Sequence, residues 1–167
     1  MIRRLLLALI FVSAAFLTLV VAPVAAQAQR SELPVPRYVS LRADEVRLRA
    51  GPNVSYPIEW VLRRRHLPVE IIAEFELWRR VRDPQGAEGW VHQSLLSGRR
   101  YVVITGETRT LRRRPELDAP AVARVEAGVV GELIECQGAW CRTEAGGFRG
   151  WLRRTEIWGV YRDEVIH

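Results

Sequence analysis

The two cysteines of the chain, Cys136 and Cys141, are spaced for a disulfide bond. Between them lies Gln137-Gly138-Ala139-Trp140, in which Gly138 and Ala139 suit the central positions of a type II′ turn. A hairpin with this turn sets Cys136 directly opposite Cys141, with Cβ atoms about 4.5–5.5 Å apart, which is close to disulfide geometry. A redox-active pair has a shorter spacing. We therefore predict a structural disulfide, stabilising by about 2 kcal/mol.

Aromatic side chains are the main candidates for binding a ligand. By strand alternation Trp78 lies on the face opposite Val81, and Val81 is the better core residue. The same alternation separates Trp140 from Thr143. We predict that a ligand groove is formed by the exposed aromatic residues Tyr56, Trp60, Trp78 and Trp140.

Packing is the alternative role for these rings, because a small barrel needs large side chains to fill it. We expect Trp90 and Trp151 to lie in the core or between domains. We expect Trp158 to lie between two copies of a repeated unit.

The elements that must position these residues occur twice. Leu48, Trp78 and Gly89-Trp90-Val91 recur in the same order as Leu111, Trp140 and Gly150-Trp151-Leu152. A repeat of about 60 residues is the size of a small β-barrel.

The repeat also aligns Glu74 with Cys136 and Arg79 with Cys141. We therefore predict an exposed cross-strand Glu74–Arg79 ion pair, stabilising by well under about 1 kcal/mol.

Period-two hydrophobic alternation and turn residues predict an all-β fold. After residue 28 no segment has a convincing helical period. The predicted strands are Val39–Leu41, Val46–Arg49, Ile58–Leu62, Val69–Glu74, Trp78–Asp83, Glu88–His92, Tyr101–Ile104, Ala121–Val125, Val130–Cys136, Trp140–Glu144 and Phe148–Leu152.

The N-terminus has the pattern of a secretory signal peptide. Arg3 and Arg4 precede the apolar run 5–21, and Ala26-Gln27-Ala28 resembles a cleavage site. We predict a signal peptide over 1–28 and a periplasmic or secreted protein; an uncleaved inner-membrane anchor is the alternative. The rest divides into a linker (29–37), two domains (38–100 and 101–163) and a tail (164–167).

The charge of the chain argues against a dedicated nucleic-acid binder. All 25 basic residues are arginine, and the net charge is +6, of which Arg3 and Arg4 contribute two. Clusters at 63–65 and 112–114 either attract anionic polymers or are solvated loops.

Signals for catalysis or metal binding are weak. His66, His92 and His167 are far apart, and their spacing does not suggest zinc. Nucleophile and phosphate-loop motifs are missing from the sequence. Neighbouring acids such as Asp163-Glu164 would need a deep cleft, which a small filled barrel does not offer. We predict no enzyme activity, no metal site and no cofactor.

The ordered motifs resemble those of bacterial SH3-like domains. The first copy has Val46-x-Leu48-Arg49-x-Gly51-Pro52, then Tyr56-Pro57, Trp78-x-x-Val81 and Gly89-Trp90-Val91; the second copy has Leu111-Arg112, Pro115, Pro120, Trp140 and Gly150-Trp151-Leu152. The resemblance implies two tandem five-stranded barrels over about residues 38 to 162. One turn glycine of the family is replaced at Arg65-His66-Leu67 but present as Gly128.

The resemblance also implies a non-enzymatic binding module of the bacterial cell envelope. Its expected ligands are peptidoglycan stem peptides or extended segments of envelope proteins. The alternative is a structural or regulatory subunit bound permanently to one envelope protein. Phosphate groups of nucleic acid or lipopolysaccharide are a weaker alternative.

Overall fold

The structure is a computed structural model that describes residues 33–167. It contains two antiparallel seven-stranded sheets, one for each copy of the repeat. The predicted all-β fold is confirmed, and among residues 33–167 there is no helix with the length and apolar character needed to cross a membrane. The predicted signal peptide (1–28) and linker residues 29–32 lie outside the described residues.

The first domain contains seven strands and a single 3₁₀ turn (Gln93–Leu95). Its strands are β1 (Arg37–Leu41), β2 (Glu45–Arg49), β3 (Ile58–Arg63), β4 (Pro68–Phe75), β5 (Trp78–Arg82), β6 (Glu88–His92) and β7 (Leu96–Ser97). They pair in the order β3-β2-β6-β5-β4-β1-β7, so that β3 lies at one edge.

The second domain repeats this arrangement, again with one 3₁₀ turn (Arg154–Glu156). Its strands are β8 (Tyr101–Ile104), β9 (Arg109–Arg112), β10 (Ala121–Val125), β11 (Val130–Gln137), β12 (Trp140–Ala145), β13 (Phe148–Arg153) and β14 (Ile157–Trp158). Their order, β10-β9-β13-β12-β11-β8-β14, is that of the first domain.

Each sheet therefore has seven strands, where alternation in the sequence predicted six in the first domain and five in the second. The two-residue strands β7 and β14 raise the count, because each follows a 3₁₀ turn and pairs with the first strand of its domain. Strand β9 was not predicted, because it has only four residues, two of which are arginine, and therefore shows little hydrophobic alternation.

Strand alternation builds a separate core in each domain. In β2 the buried residues Val46 and Leu48 alternate with exposed or partly exposed arginines. They pack with Val81 and Val91, which are also fully buried. Leu111 and Leu152 take the equivalent places in the second core.

The predicted register of the β11–β12 hairpin is confirmed. Gln137 pairs with Trp140 and Cys136 with Cys141, whose sulfur atoms are bonded at 2.05 Å. Gly138 has φ +54°, as the first central residue of a type II′ turn requires. The first domain forms the same turn with Glu76, at φ +49°.

The predicted Glu74–Arg79 pair is present, but it is buried rather than exposed. Glu74 and Arg79 are cross-strand partners, and the Arg79 Nε lies 3.0 Å from the Glu74 Oε1. Their side chains are only 11% and 6% exposed, because Arg37 from β1 also pairs with Glu74 and covers it. Arg79 further donates to the Gln93 Oε1 at 2.6 Å. The pair belongs to a buried network, so the surface energy expected for it does not apply.

The two domains pack against each other through aromatic contacts. Trp158 lies where the sequence placed it, with its ring edge-on to Tyr38 at 4.9 Å between centroids. Tyr161 packs against the Tyr38 ring, with the two centroids 4.6 Å apart, and its hydroxyl donates to the Glu70 Oε1 at 2.8 Å. Burial, followed by the charge of Glu70, raises the pKa of Tyr38 to about 12.

A second set of contacts joins the domains near the turn before β4. His66 adopts φ +68°, where the second domain has Gly128 at φ +81°. The His66 ring stacks on Tyr101 at 4.3 Å, and the Arg64 Nη1 donates to the Gly128 carbonyl at 2.5 Å. The side chain at position 66 thus provides a contact between domains that a glycine would not.

Candidate binding site

A shallow cleft of about 320 Å³ lies on the outer face of the first sheet. It is bounded by β2, by the loop between β2 and β3, and by the ends of β5 and β6. Its lining residues are Glu45, Arg47, Arg49, Val54, Trp78, His92 and Leu95.

Trp78 forms the aromatic wall of this cleft. As predicted, it lies on the face opposite the fully buried Val81 and is half-buried. Its cross-strand partner is His92, whose ring meets the indole edge-on with centroids 5.7 Å apart. The His92 Nδ1 accepts a hydrogen bond from the Ser94 backbone N–H, which holds the ring in place. The cleft therefore has an ordered aromatic side.

Two arginines of β2 form the opposite, cationic side. Arg47 is well exposed, and its Nε lies 3.4 Å from the Glu45 carboxylate. Arg49 donates from Nη1 to the Tyr56 carbonyl at 2.7 Å, which ties the loop to the strand. Arg47, whose contact with Glu45 is long and exposed, is thus the residue available to orient a ligand carboxylate, while Arg49 supports the wall.

Tyr56 shapes the loop instead of lining the cleft. A Cβ on Gly51 would lie 2.6 Å from three carbons of the Tyr56 ring, so the ring sits directly on this glycine. Asn53 accepts the Ser55 N–H in an Asx turn beside it. These contacts explain why Gly51 and Tyr56 occur together, and they present Val54 to the cleft.

Trp60 is not brought to the cleft. Arg47 pairs with Val61, while Trp60 pairs with the core residue Leu48. Directly opposed residues share a face, so Trp60 lies on the other side of β3 from the cleft. Its side chain is 54% exposed.

Trp140 occupies the position of Trp78 in the second domain, with different neighbours. It is half-buried, and its cross-strand partners are Gln137 and Arg153. The corresponding partners of Trp78 are Phe75 and His92. The tryptophan–histidine pair therefore belongs to the first domain, and the two copies offer different chemistry at this place.

The sequence matches the bacterial SH3 domain family in two segments, residues 42–98 and 106–159. The chain belongs to this family. The predicted fold of two tandem SH3-like domains is thereby confirmed. No curated protein matches the sequence.

Several solved structures match the chain at low identity and with low TM-scores. NlpC1 from Trichomonas vaginalis has a TM-score of 0.35 and 13% identity, over 77% of this chain and 48% of that one. NlpC2 from Trichomonas vaginalis has a TM-score of 0.36 and 12% identity, over 79% and 51%. An NlpC/P60 family protein from Bacillus cereus ATCC 10987 has a TM-score of 0.33 and 14% identity, over 72% and 55%. This chain thus spans about half the length of these structures.

The glycine–tryptophan motif of both SH3 domains has a packing explanation. A Cβ on Gly89 would lie 2.7 Å from the Leu48 Cβ, and one on Gly150 would lie 2.9 Å from the Leu111 Cβ. These glycines let the closing strand approach the second strand of its domain.

The tryptophans of this motif do not lie in the core, which was one of the two places expected for them. Trp90 alternates with the buried Gly89 and Val91, so its ring is on the outer face of the sheet. Trp151 is placed in the same way beside the buried Leu152. The cross-strand partners of Trp90 on its two neighbouring strands are Arg49 and Arg80, and those of Trp151 are Arg112 and Arg142.

A larger cleft of about 820 Å³ adjoins the second SH3 domain. It lies between the β11–β12 hairpin and the C-terminal residues, and Asp163 and Glu164 help to line it. The sequence analysis expected no cleft for these acids, on the ground that a small filled barrel has none; this cleft lies outside the barrel, where the C-terminal segment packs against it. Ile166 pairs with Cys136 and accepts its N–H at 3.0 Å, so the residues set apart as a tail are held against the domain.

Both carboxylate oxygens of Glu164, which lines this cleft, accept hydrogen bonds. Burial alone would raise its pKa, but hydrogen bonds from Arg100 and from the Tyr161 N–H outweigh this and lower the pKa. Arg154 donates to the carbonyls of Tyr161 and Glu164 and so holds the chain in place. The acid therefore helps to hold the C-terminal segment against the second domain.

Proposed function

We propose that the protein is an exported, non-catalytic module of the bacterial cell envelope that binds peptides through the Trp78 cleft. The proposed ligands are peptidoglycan stem peptides or extended segments of envelope proteins. The observation that carries the proposal is the pairing of an ordered aromatic wall, Trp78 and His92, with the exposed guanidinium of Arg47 across one cleft. An aromatic ring supplies apolar contact, and an arginine orients a carboxylate, which a stem peptide provides.

We assign no reaction to this cleft. Its lining provides one indole ring, arginines, an imidazole held by Ser94 and a single carboxylate that lies beside Arg47. Among the residues that the structure describes, this lining contains no serine, threonine or cysteine that could act as a nucleophile. Binding is the chemistry that such a surface supports.

The experiment is co-sedimentation of the purified protein with isolated peptidoglycan sacculi. We expect the wild type to sediment and to be released by soluble stem peptides. Trp78→Ala should abolish sedimentation, whereas Trp140→Ala, the matched change in the second domain, should retain it. Unfolding curves for both variants separate loss of the ligand contact from loss of the fold.

Arg47→Ala tests the carboxylate contact separately. It should weaken sedimentation without changing stability, because the side chain is exposed and its ion pair with Glu45 is weak. A wild type that does not sediment would overturn wall binding and favour a permanent protein partner. Cell fractionation tests export, since a protein retained in the cytoplasm would contradict it.

A further inference from the structure

Strand β3 is an exposed edge of the first sheet and carries large apolar side chains. Ile58, Trp60 and Val61 are 43%, 54% and 43% exposed. The strand order leaves β3 with a single neighbour, β2. An exposed edge strand with apolar side chains is a template for pairing with a further strand.

The corresponding edge of the second domain is different. Leu48 pairs with Trp60 in β3 and Leu111 pairs with Ala123 in β10, which aligns the two edges. By this alignment Ala121, Ala123 and Arg124 stand where β3 has Ile58, Trp60 and Val61. A charged side chain at the centre of an edge strand, here Arg124, discourages edge pairing, and alanines offer little apolar surface to a second strand. The apolar edge of β3 is therefore a feature of one domain and not of the fold.

The charges of β3 are complementary to themselves. Glu59 and Arg63 both lie two positions from Val61, one on each side. In an antiparallel pair of two β3 strands with a two-fold axis at Val61, each Glu59 faces Arg63 of the other copy. The same register sets Trp60 opposite Leu62, so each exposed indole covers an apolar neighbour.

We propose that β3 pairs with β3 of a second copy of this chain, in the register centred on Val61. The first sheets of two molecules then form one continuous antiparallel sheet. Within one chain Arg63 has a long, exposed contact with Glu45 at 3.5 Å. A second copy matches the charge pattern at both ends of the strand, whereas an unrelated peptide has no reason to match it. At the β10 edge the same symmetry would set Arg124 against itself, which excludes that edge by repulsion. This pairing does not depend on the Trp78 cleft, which contains none of Glu59, Trp60 or Arg63.

Disulfide trapping tests the pairing and its register in the full chain. The sequence has two cysteines, and they are bonded to each other, so a cysteine introduced at position 61 is the sole free thiol. Val61→Cys should form a covalent dimer under mild oxidation, because directly opposed Cβ atoms lie within disulfide range. Ala123→Cys, a change at the β10 edge that retains Arg124, should stay monomeric. Absence of a Val61→Cys dimer would overturn the proposal.

Charge exchange tests the identity of the partner. Light scattering over a range of concentrations should show a reversible dimer for the wild type. Glu59→Arg should weaken it about tenfold, since two attractive pairs become repulsive. The double variant Glu59→Arg/Arg63→Glu should restore it, because the opposite charges face each other again. A monomeric wild type, or dimers that Glu59→Arg leaves unchanged, would contradict β3 pairing.

Discussion

Arg79 and Glu74 face each other across β4 and β5, buried, with Nε 3.0 Å from Oε1. In the second domain the same two positions are bonded to each other as Cys141 and Cys136. The two copies of the repeat thus join equivalent strands by a salt bridge in one case and by a disulfide in the other. In each hairpin one further residue pair separates the link from the turn.

Removing one partner of the buried pair should be costly. Arg79→Ala leaves Glu74 with Arg37 as its remaining cation and leaves Gln93 without its donor. Because Arg37 still compensates the charge of Glu74, we expect the free energy of unfolding to fall by about 1.5–3 kcal/mol, less than for a fully uncompensated buried charge. Denaturant titration measures this loss.

The control is Arg149→Ala, which removes the exposed cross-strand pair with Glu144. That loss should be at most about 1 kcal/mol. Similar losses for the two variants would show that the buried network is not important. The double variant Glu74→Cys/Arg79→Cys should form a disulfide in the first domain, because its register matches that of Cys136 and Cys141.

Glu76 adopts a backbone conformation that the second domain assigns to glycine. Its φ is +49°, and that of Gly138 is +54°. Glu76→Gly should raise the free energy of unfolding by about 0.5–1 kcal/mol, because it removes the steric strain of a Cβ in the left-handed region. The reverse change, Gly138→Glu, should lower stability by a similar amount. Equal stability of all three proteins in thermal melts would contradict this account.

The features that sequence predicts best here are those set by local spacing. Alternation is sufficient to place Val46 and Leu48 in the core, and the position of Gly138 fixes the register that joins the cysteines. Alignment of the two copies then predicts the same register for Glu74 and Arg79, which the structure has.

Features that depend on distant strands were not predictable in this way. Burial of Glu74 requires Arg37 from β1, which no hairpin pattern contains. Trp90 lies outside the core because Gly89 approaches Leu48, a contact between strands far apart in sequence. His92 could have been found by continuing the alternation from Val91, which sets it on the face of Trp78 once the hairpin is assumed.

Thr143 is a polar residue within the second core. It is fully buried, and its hydroxyl has no hydrogen-bond partner among residues 33–167. The first domain has Val81 at the equivalent place, also fully buried. Thr143→Val should therefore raise the free energy of unfolding by about 1 kcal/mol or more, since a buried unsatisfied hydroxyl is replaced by a methyl group of the same size. Val81→Thr should lower it in turn, and a Thr143→Val variant of lower stability would contradict the argument.

The contact between the two domains should weaken at high pH through Tyr38. Its pKa rises from 10.0 to about 12 on folding, mainly by burial. A raised pKa means that folding favours the neutral phenol, so the stabilisation is complete below pH 10 and is lost as the pH rises toward 12. The matched variant Tyr38→Phe keeps the ring contact with Trp158 but has no phenol proton to lose. Thermal unfolding followed by tryptophan fluorescence should show a steeper loss of stability in this pH range for the wild type than for this variant. Identical pH profiles for the two proteins would show that the domain contact does not depend on this phenol.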